Sequence, residues 1–140
     1  MTRKGWQVTG IDFVPQAIHK ARRKAVRIGL SIDFLVGDVL SLSKDSEPFN
    51  YILDIGCLHG LEATDHQSYA QRIKQILAPS GIYMLYAWMP RMRNGRTFGL
   101  TEKQTNALFA PPLRLQKAVV GEENGSPSVW YWFENHQSEA

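Results

Sequence analysis

Apolar residues recur along this chain with two alternating periods, one of two residues and one close to 3.6, and the pattern starts at its first residues. Gln7–Asp12 predicts a strand that ends in an acid. Pro15 suits the first turn of a helix, and Ile18, Ala21, Ala25 and Ile28 fall at helical spacing before Gly29 closes the run. Ile32–Val36 predicts a second strand, ending at Gly37-Asp38, and a polar loop leads to a third at Tyr51–Ile55. Asp65 is placed to cap a helix through Leu77, which Pro79-Ser80-Gly81 terminates. Ile82–Trp88 is a long apolar run with the pattern of a strand buried on both faces. Met89–Gly99 reads as a loop carrying Arg91, Arg93 and Arg96. Thr101 and Gln104 have capping-box spacing for a short helix through Phe109. Leu113–Gly121 and Ser128–Glu134 flank Asn124-Gly125, a hairpin signal with a connection expected to exceed two residues.

Strand–helix alternation predicts an α/β fold: a mostly parallel sheet between helical layers, with an antiparallel hairpin at the C-terminal end. Residues 1–140 are expected to form a single domain, since no linker, repeat or low-complexity segment interrupts them. Open sheets of this kind bind ligands beyond the carboxyl ends of their strands. That rule nominates Asp12, Asp38, Asp54 to His59, and Trp88 onward as the functional rim.

Composition changes this picture little. A 44% hydrophobic and 21% charged content is ordinary for a globular protein. No apolar run approaches the ~20 residues of a membrane-spanning helix, and the start lacks the apolar core of a secretory signal, so a cytoplasmic location is expected. The lone Cys57 excludes an intrachain disulfide and a cysteine-based metal site. His19, His66 and His136 fall on segments predicted to be exposed, and no metal site is expected from them. A net charge of +3 invites a nucleic-acid reading. Much of that charge lies between His19 and Arg27, opposite the apolar stripe of one helix, where a solvated face accounts for it.

The rim residues each admit two readings. Asp12 can accept hydrogen bonds from ribose hydroxyls, or it can cap the following helix. Phe13 can pack on a purine face, or it can belong to the core. Asp38 can accept from an exocyclic purine amine while the Val39 backbone reads the ring edge, or Gly37-Asp38 can simply form a turn. Cys57 and His59 lie close together in sequence, but no third residue stands at a spacing that would orient them as nucleophile and base. His59 is the weak candidate for a catalytic role.

Several motifs, in order, resemble those of class I S-adenosylmethionine-dependent methyltransferases. Val8-Thr9-Gly10-Ile11-Asp12-Phe13-Val14-Pro15-Gln16-Ala17-Ile18 resembles the family's second-strand motif, and Leu35-Val36-Gly37-Asp38-Val39-Leu40 its third. Phe49–His59 resembles the fourth-strand motif, and Leu77-Ala78-Pro79-Ser80-Gly81 followed by Ile82–Trp88 resembles the turn and fifth strand. The thiopurine and tellurite-resistance branch, which acts on small molecules, is the most similar in flavour. The resemblance implies a Rossmann-like three-layer sandwich that binds S-adenosylmethionine through Asp12, Phe13, Asp38, Val39, Asp54 and Gly56. Ile55 stands where that branch often has an arginine, and Ser80 replaces the first glycine of the turn. Met1 falls where the family's first helix would be ending, so the domain is expected to be N-terminally truncated, without the first strand and its D-x-G-x-G-x-G loop. Asp54-Ile55-Gly56-Cys57-Leu58-His59-Gly60 has some likeness to that loop, but Leu58 occupies the place of its middle glycine.

The implied function is methyl transfer to a small-molecule nucleophile, such as a thiol or a metalloid anion. The alternative is a non-catalytic or truncated remnant that keeps part of a nucleoside pocket. A nicotinamide-dependent oxidoreductase fits less well, because its glycine fingerprint is absent too. Nucleic-acid methylation is disfavoured, since Asp54-Ile55-Gly56-Cys57 stands where such enzymes carry their target-base tetrapeptide. Without its central strand the sheet is expected to leave the Gln7–Asp12 and Tyr51–Ile55 strands either paired directly or with open apolar edges, inviting self-association.

Overall fold

A computed structural model of the chain describes residues 5–41 and 47–137, apart from the side chains of Ser41 and His59. Its contacts fall into two compact units, Met1–Leu42 and Ser43–Ala140. The first holds β1 (Thr9–Asp12), α1 (Pro15–Arg27) and β2 (Asp33–Val36). The two strands pair in parallel, Thr9 opposite Asp33 through Asp12 opposite Val36. Both strands start later than their apolar runs suggest, although Asp33 N still donates to Val8 O at 3.0 Å. Pro15 occupies the first turn of α1 as its missing N–H allows, and Gly29 follows the helix with φ +74°. Ile18 and Ala25 form the buried stripe; Ile28, expected on it, is 43% exposed. The basic residues Lys20, Arg22, Arg23, Lys24 and Arg27 are all exposed, as a solvated face requires.

The second unit is a four-stranded sheet in the order β3 (Phe49–Ile55), β4 (Leu77–Trp88), β8 (Ser126–Asn135), β7 (Leu113–Glu123). β3 and β4 are parallel, and β8 runs antiparallel to both of its neighbours, as expected for the Ser128–Glu134 strand. β1 pairs with β2 and β3 with β4, in separate sheets. On β3 the apolar Leu53 and Ile55 share one face and are exposed.

Three helices complete this unit: α2 (Cys57–Gly60), α3 (His66–Ile76) and α4 (Glu102–Phe109). Asp65 takes the N-cap position of α3 without making a side-chain cap. Thr101 and Gln104 form the expected reciprocal capping box on α4. The core is aromatic: Phe109 of α4 sits with its ring centroid 4.9 Å from Tyr83 and 5.3 Å from Phe133. From Ile82 to Trp88 the burial of β4 alternates strictly: Tyr83, Leu85 and Ala87 are buried, while Ile82, Met84, Tyr86 and Trp88 are half-buried. The expectation of burial on both faces is therefore corrected to one fully buried face.

Two connections also differ from expectation. α3 ends at Ile76, one residue early, and β4 already begins at Leu77; its register against β3 shifts between Phe49 and Tyr51, which accommodates the Pro79-Ser80-Gly81 turn as an irregularity of the strand. Asn135 fixes that turn, donating from Nδ2 to Leu77 O at 3.0 Å and Ala78 O at 3.1 Å. The β7–β8 connection is the two-residue Asn124-Gly125, both at positive φ, rather than a longer loop. Met89–Gly99 is no loop but a second hairpin, β5 (Arg91–Arg93) and β6 (Arg96–Phe98), joined by Asn94 (φ +54°) and Gly95 (φ +76°).

Candidate functional site

Parallel pairing brings the carboxyl ends of β1 and β2 side by side, and Gly37 N donates to Asp12 O at 3.0 Å. Asp12, Phe13, Asp38 and Val39 thus lie at one end of this small sheet, as the rim argument requires. Asp12 Oδ1 accepts from Val14 N at 2.9 Å, and Asp38 Oδ1 accepts from Leu40 N at 2.9 Å. Each acid therefore holds the turn that follows its own strand, a local bond typical of aspartate two residues before a free N–H. In Asp12 this bond engages one oxygen only. Asp12 Oδ2 has no hydrogen-bond partner among the described residues. Phe13 is 76% exposed, so its core reading is corrected. Val39 is half-buried and opens a single 3-10 turn, Val39–Ser41. An acceptor oxygen beside an uncovered aromatic ring offers the two kinds of contact that a ribose hydroxyl and a purine face can take.

The third acid has a different setting. The alternation of β3 turns Asp54 to the buried face, where it is 5% exposed. Gly56, at φ +92°, reverses the chain in a conformation that side-chain-bearing residues rarely adopt. The reversal aims the next N–H groups back at Asp54: Cys57 N donates to Oδ1 at 2.7 Å and Leu58 N to Oδ2 at 3.1 Å. Tyr69 OH of α3 donates to the same Oδ2 at 2.5 Å, and Tyr83 OH lies 2.9 Å from Tyr69 OH and 3.4 Å from Oδ2. Burial, and then the charges around Asp54, push both tyrosine hydroxyls well above their ordinary range. Asp54 holds the Gly56–Gly60 turn that follows its own strand. Leu58, in the place of a middle glycine, is 1% exposed and anchors the turn in the core. Cys57 is exposed; the His59 side chain lies outside the described residues.

Tyr69 and Tyr83 escaped the sequence reading as partners of Asp54. The available signal was chemical: a tyrosine on the apolar stripe with Ile73 and Ile76 must find a partner for its hydroxyl. Beyond β4, Glu123 of the β7–β8 hairpin accepts from Tyr86 OH and, at 3.2 Å, from Trp88 Nε1. Arg91 lies over the Trp88 ring at 4.1 Å from its centroid. His66, expected on an exposed segment, is half-buried with Nε2 out of solvent and without a hydrogen-bond partner among the described residues. Among the described residues, no three His, Cys, Asp or Glu side chains group to hold a metal ion. No described helix is long and apolar enough to cross a membrane.

Helices packed on a parallel β1–β2 pair and on a four-stranded sheet that is parallel but for β8, with acids at three strand ends, define an α/β fold of the Rossmann-like class. Within that class this chain belongs to the methyltransferase domain family, whose pattern matches residues 1–81. An uncharacterized methyltransferase of Schizosaccharomyces pombe is 32% identical over 72 residues, 51% of this chain and 50% of that protein. The chain spans about half the length of the first curated relatives it matches. Among solved structures, the 1,6-didemethyltoxoflavin-N1-methyltransferase of Burkholderia thailandensis, with bound 1,6-didemethyltoxoflavin and S-adenosylhomocysteine, superposes with a TM-score of 0.79 at 23% identity, covering 97% of this chain and 64% of that one. The N-methyltransferase NodS of Bradyrhizobium japonicum, in complex with S-adenosylhomocysteine, gives 0.77 at 22% identity, covering 94% and 67%. At those identities the likeness establishes a shared fold.

Proposed function

We propose that this chain binds S-adenosylmethionine and serves methyl transfer to a small-molecule nucleophile, a thiol or a metalloid anion. The observation that carries the reading is the strand-end arrangement of the first unit: Asp12 with an unengaged carboxylate oxygen, the uncovered Phe13 ring, and Asp38 at the neighbouring strand end. In this reading Asp12 Oδ2 accepts from the ribose hydroxyls and Phe13 covers one purine face. Asp38 accepts from the exocyclic amine, and the Val39 backbone meets the ring edge. Asp54 and Gly56 serve by fixing the turn that follows β3. His59, on that turn, is the candidate for substrate contact. The bound cofactor supplies a methyl group already activated on a sulfonium. What the chain contributes is position, because in-line approach of an already strong nucleophile carries much of such a rate.

The test is transfer of labelled methyl from S-adenosylmethionine to a panel of aryl and alkyl thiols and to selenite and tellurite, run beside a calorimetric titration with S-adenosylhomocysteine. Saturable binding with turnover on at least one acceptor is expected. Binding without turnover on any of them makes the chain a nucleoside-binding module, and no binding removes the cofactor assignment.

A further inference from the structure

β4 ends at Trp88 and the β5–β6 hairpin begins at Arg91, so the hairpin stands beyond the carboxyl end of its strand, where open sheets of this kind take their ligands. Its register, Arg91 opposite Phe98 and Arg93 opposite Arg96, puts three arginines and a phenylalanine on one face. Like charges directly opposite each other, as Arg93 and Arg96 are, weaken a strand pair unless an anion answers them. Glu62 answers Arg96 in an ion pair of 2.5 Å. Among the described residues neither Arg91 nor Arg93 pairs with a carboxylate.

Both side chains are nonetheless held in place. The Cζ of Arg91 lies 4.1 Å and that of Arg93 5.7 Å from the centroid of the Trp88 ring, which keeps the two guanidinium groups within about 10 Å of each other. Arg91 also donates from Nη2 to Pro127 O at 3.1 Å, and Trp88 is fixed in turn by its Nε1, which donates to Glu123 at 3.2 Å. A guanidinium carries its N–H donors in its own plane, so one held over a ring still offers its edge, and a carboxylate or phosphate takes two such donors at once. Arg91 is half-buried and Arg93 exposed, so an entering ligand reaches Arg93 from solvent and meets an arginine already oriented beside it. We propose that Arg91 and Arg93 together bind the oxyanion group of a small molecule, a carboxylate or a phosphate monoester, beyond the carboxyl end of β4. Assigning that oxyanion to the methyl acceptor rests on the methyl-transfer reading; the binding itself does not. In that reading the pair favours a thiol that also carries a carboxylate.

The test is an NMR titration of the ¹⁵N-arginine-labelled chain, at fixed ionic strength, with benzoate and phenyl phosphate, and with benzamide as the neutral comparison. The Arg91 and Arg93 side-chain signals are identified by their loss in Arg91→Gln and Arg93→Gln. Joint, saturable movement of the two signals with at least one oxyanion is expected, and the oxyanion that moves them names the group. Arg93→Gln should weaken that binding on the order of tenfold, and Arg93→Lys, which keeps the charge but not the planar fork, should weaken it less. Arg93 is exposed and donates no hydrogen bond within the chain, so both of its variants should fold. Signals that neither oxyanion moves, or that benzamide moves as far, overturn the proposal. So do equal shifts at the exposed Arg23 and Arg114, which mark general screening of charge, and wild-type affinity in Arg93→Gln. The acceptor role has its own readout: 2-mercaptobenzoate should be methylated with a lower KM than thiophenol, and Arg93→Gln should remove that difference. Oxyanion binding by a chain that does not bind S-adenosylhomocysteine keeps the arginine site and removes only that role.

Discussion

Asp12 and Asp54 look alike in the sequence, each an acid at the end of an apolar strand, yet the fold gives them opposite surroundings. Asp12 ends one strand of a two-stranded sheet, in a turn beside an exposed phenylalanine. Asp54 ends a strand of the four-stranded sheet, beneath two buried tyrosines and the first N–H groups of α2. The acid that is still able to take a ligand is the one with an unanswered oxygen. The acid whose carboxylate is already occupied by the protein holds the turn after its own strand. Strand-end position supplies a candidate; burial and hydrogen-bond occupancy decide its part.

The largest effect that sharpens this contrast is expected from Asp54→Ala. It deprives Tyr69, Cys57 N and Leu58 N of their acceptor inside the core. Each stranded donor costs about 1–3 kcal/mol, so a total loss of about 3 kcal/mol or more should appear as a lowered urea midpoint. A midpoint within error of the wild type contradicts the building role.

The tyrosines grade the same network. Tyr69→Phe removes the 2.5 Å bond to Asp54 and should cost about 1–2 kcal/mol. Tyr83→Phe, whose hydroxyl is 3.4 Å from the carboxylate, should cost less. Both hydroxyls are raised in the folded chain, so their contribution is fully present below the ordinary tyrosine range near pH 10. It is lost as pH rises from there through the folded values, because the unfolded chain ionises first. Urea midpoints measured from pH 8 to 11 should fall above pH 10 in the wild type and fall less in Tyr69→Phe. Parallel curves would remove Tyr69 from the network.

A smaller and opposite effect is expected at the turn before the long strand. Ser80 adopts φ +62°, which glycine occupies without strain, so Ser80→Gly should raise stability by about 0.5–1 kcal/mol. Gly81→Ala should lower it, since a Cβ there would meet Ala78 O at 2.7 Å. Thermal denaturation of the two variants separates the signs.

Periodicity made most of this legible. The apolar stripes of α1 and α3, the capping box of α4 and the order of strands are all visible in residue spacing, because core burial imposes that spacing. The β5–β6 hairpin was hidden by its three arginines, which made Met89–Gly99 look like a loop although Asn94-Gly95 carried the same turn signal as Asn124-Gly125. Candidate rim residues were legible as residue types at strand ends. Their occupancy was not, because the donors that fill Asp54 come partly from Tyr69 and Tyr83, 15 and 29 residues away.

The division between a binding acid and a building acid is tested most directly by calorimetric titration of S-adenosylhomocysteine into the wild-type chain and into Asp12→Ala. The account predicts saturable binding to the wild type and a loss of about 1–3 kcal/mol in the variant, with the urea midpoint changed far less than in Asp54→Ala. Equal affinity in the two proteins would contradict it and leave Asp12 as the holder of its own turn.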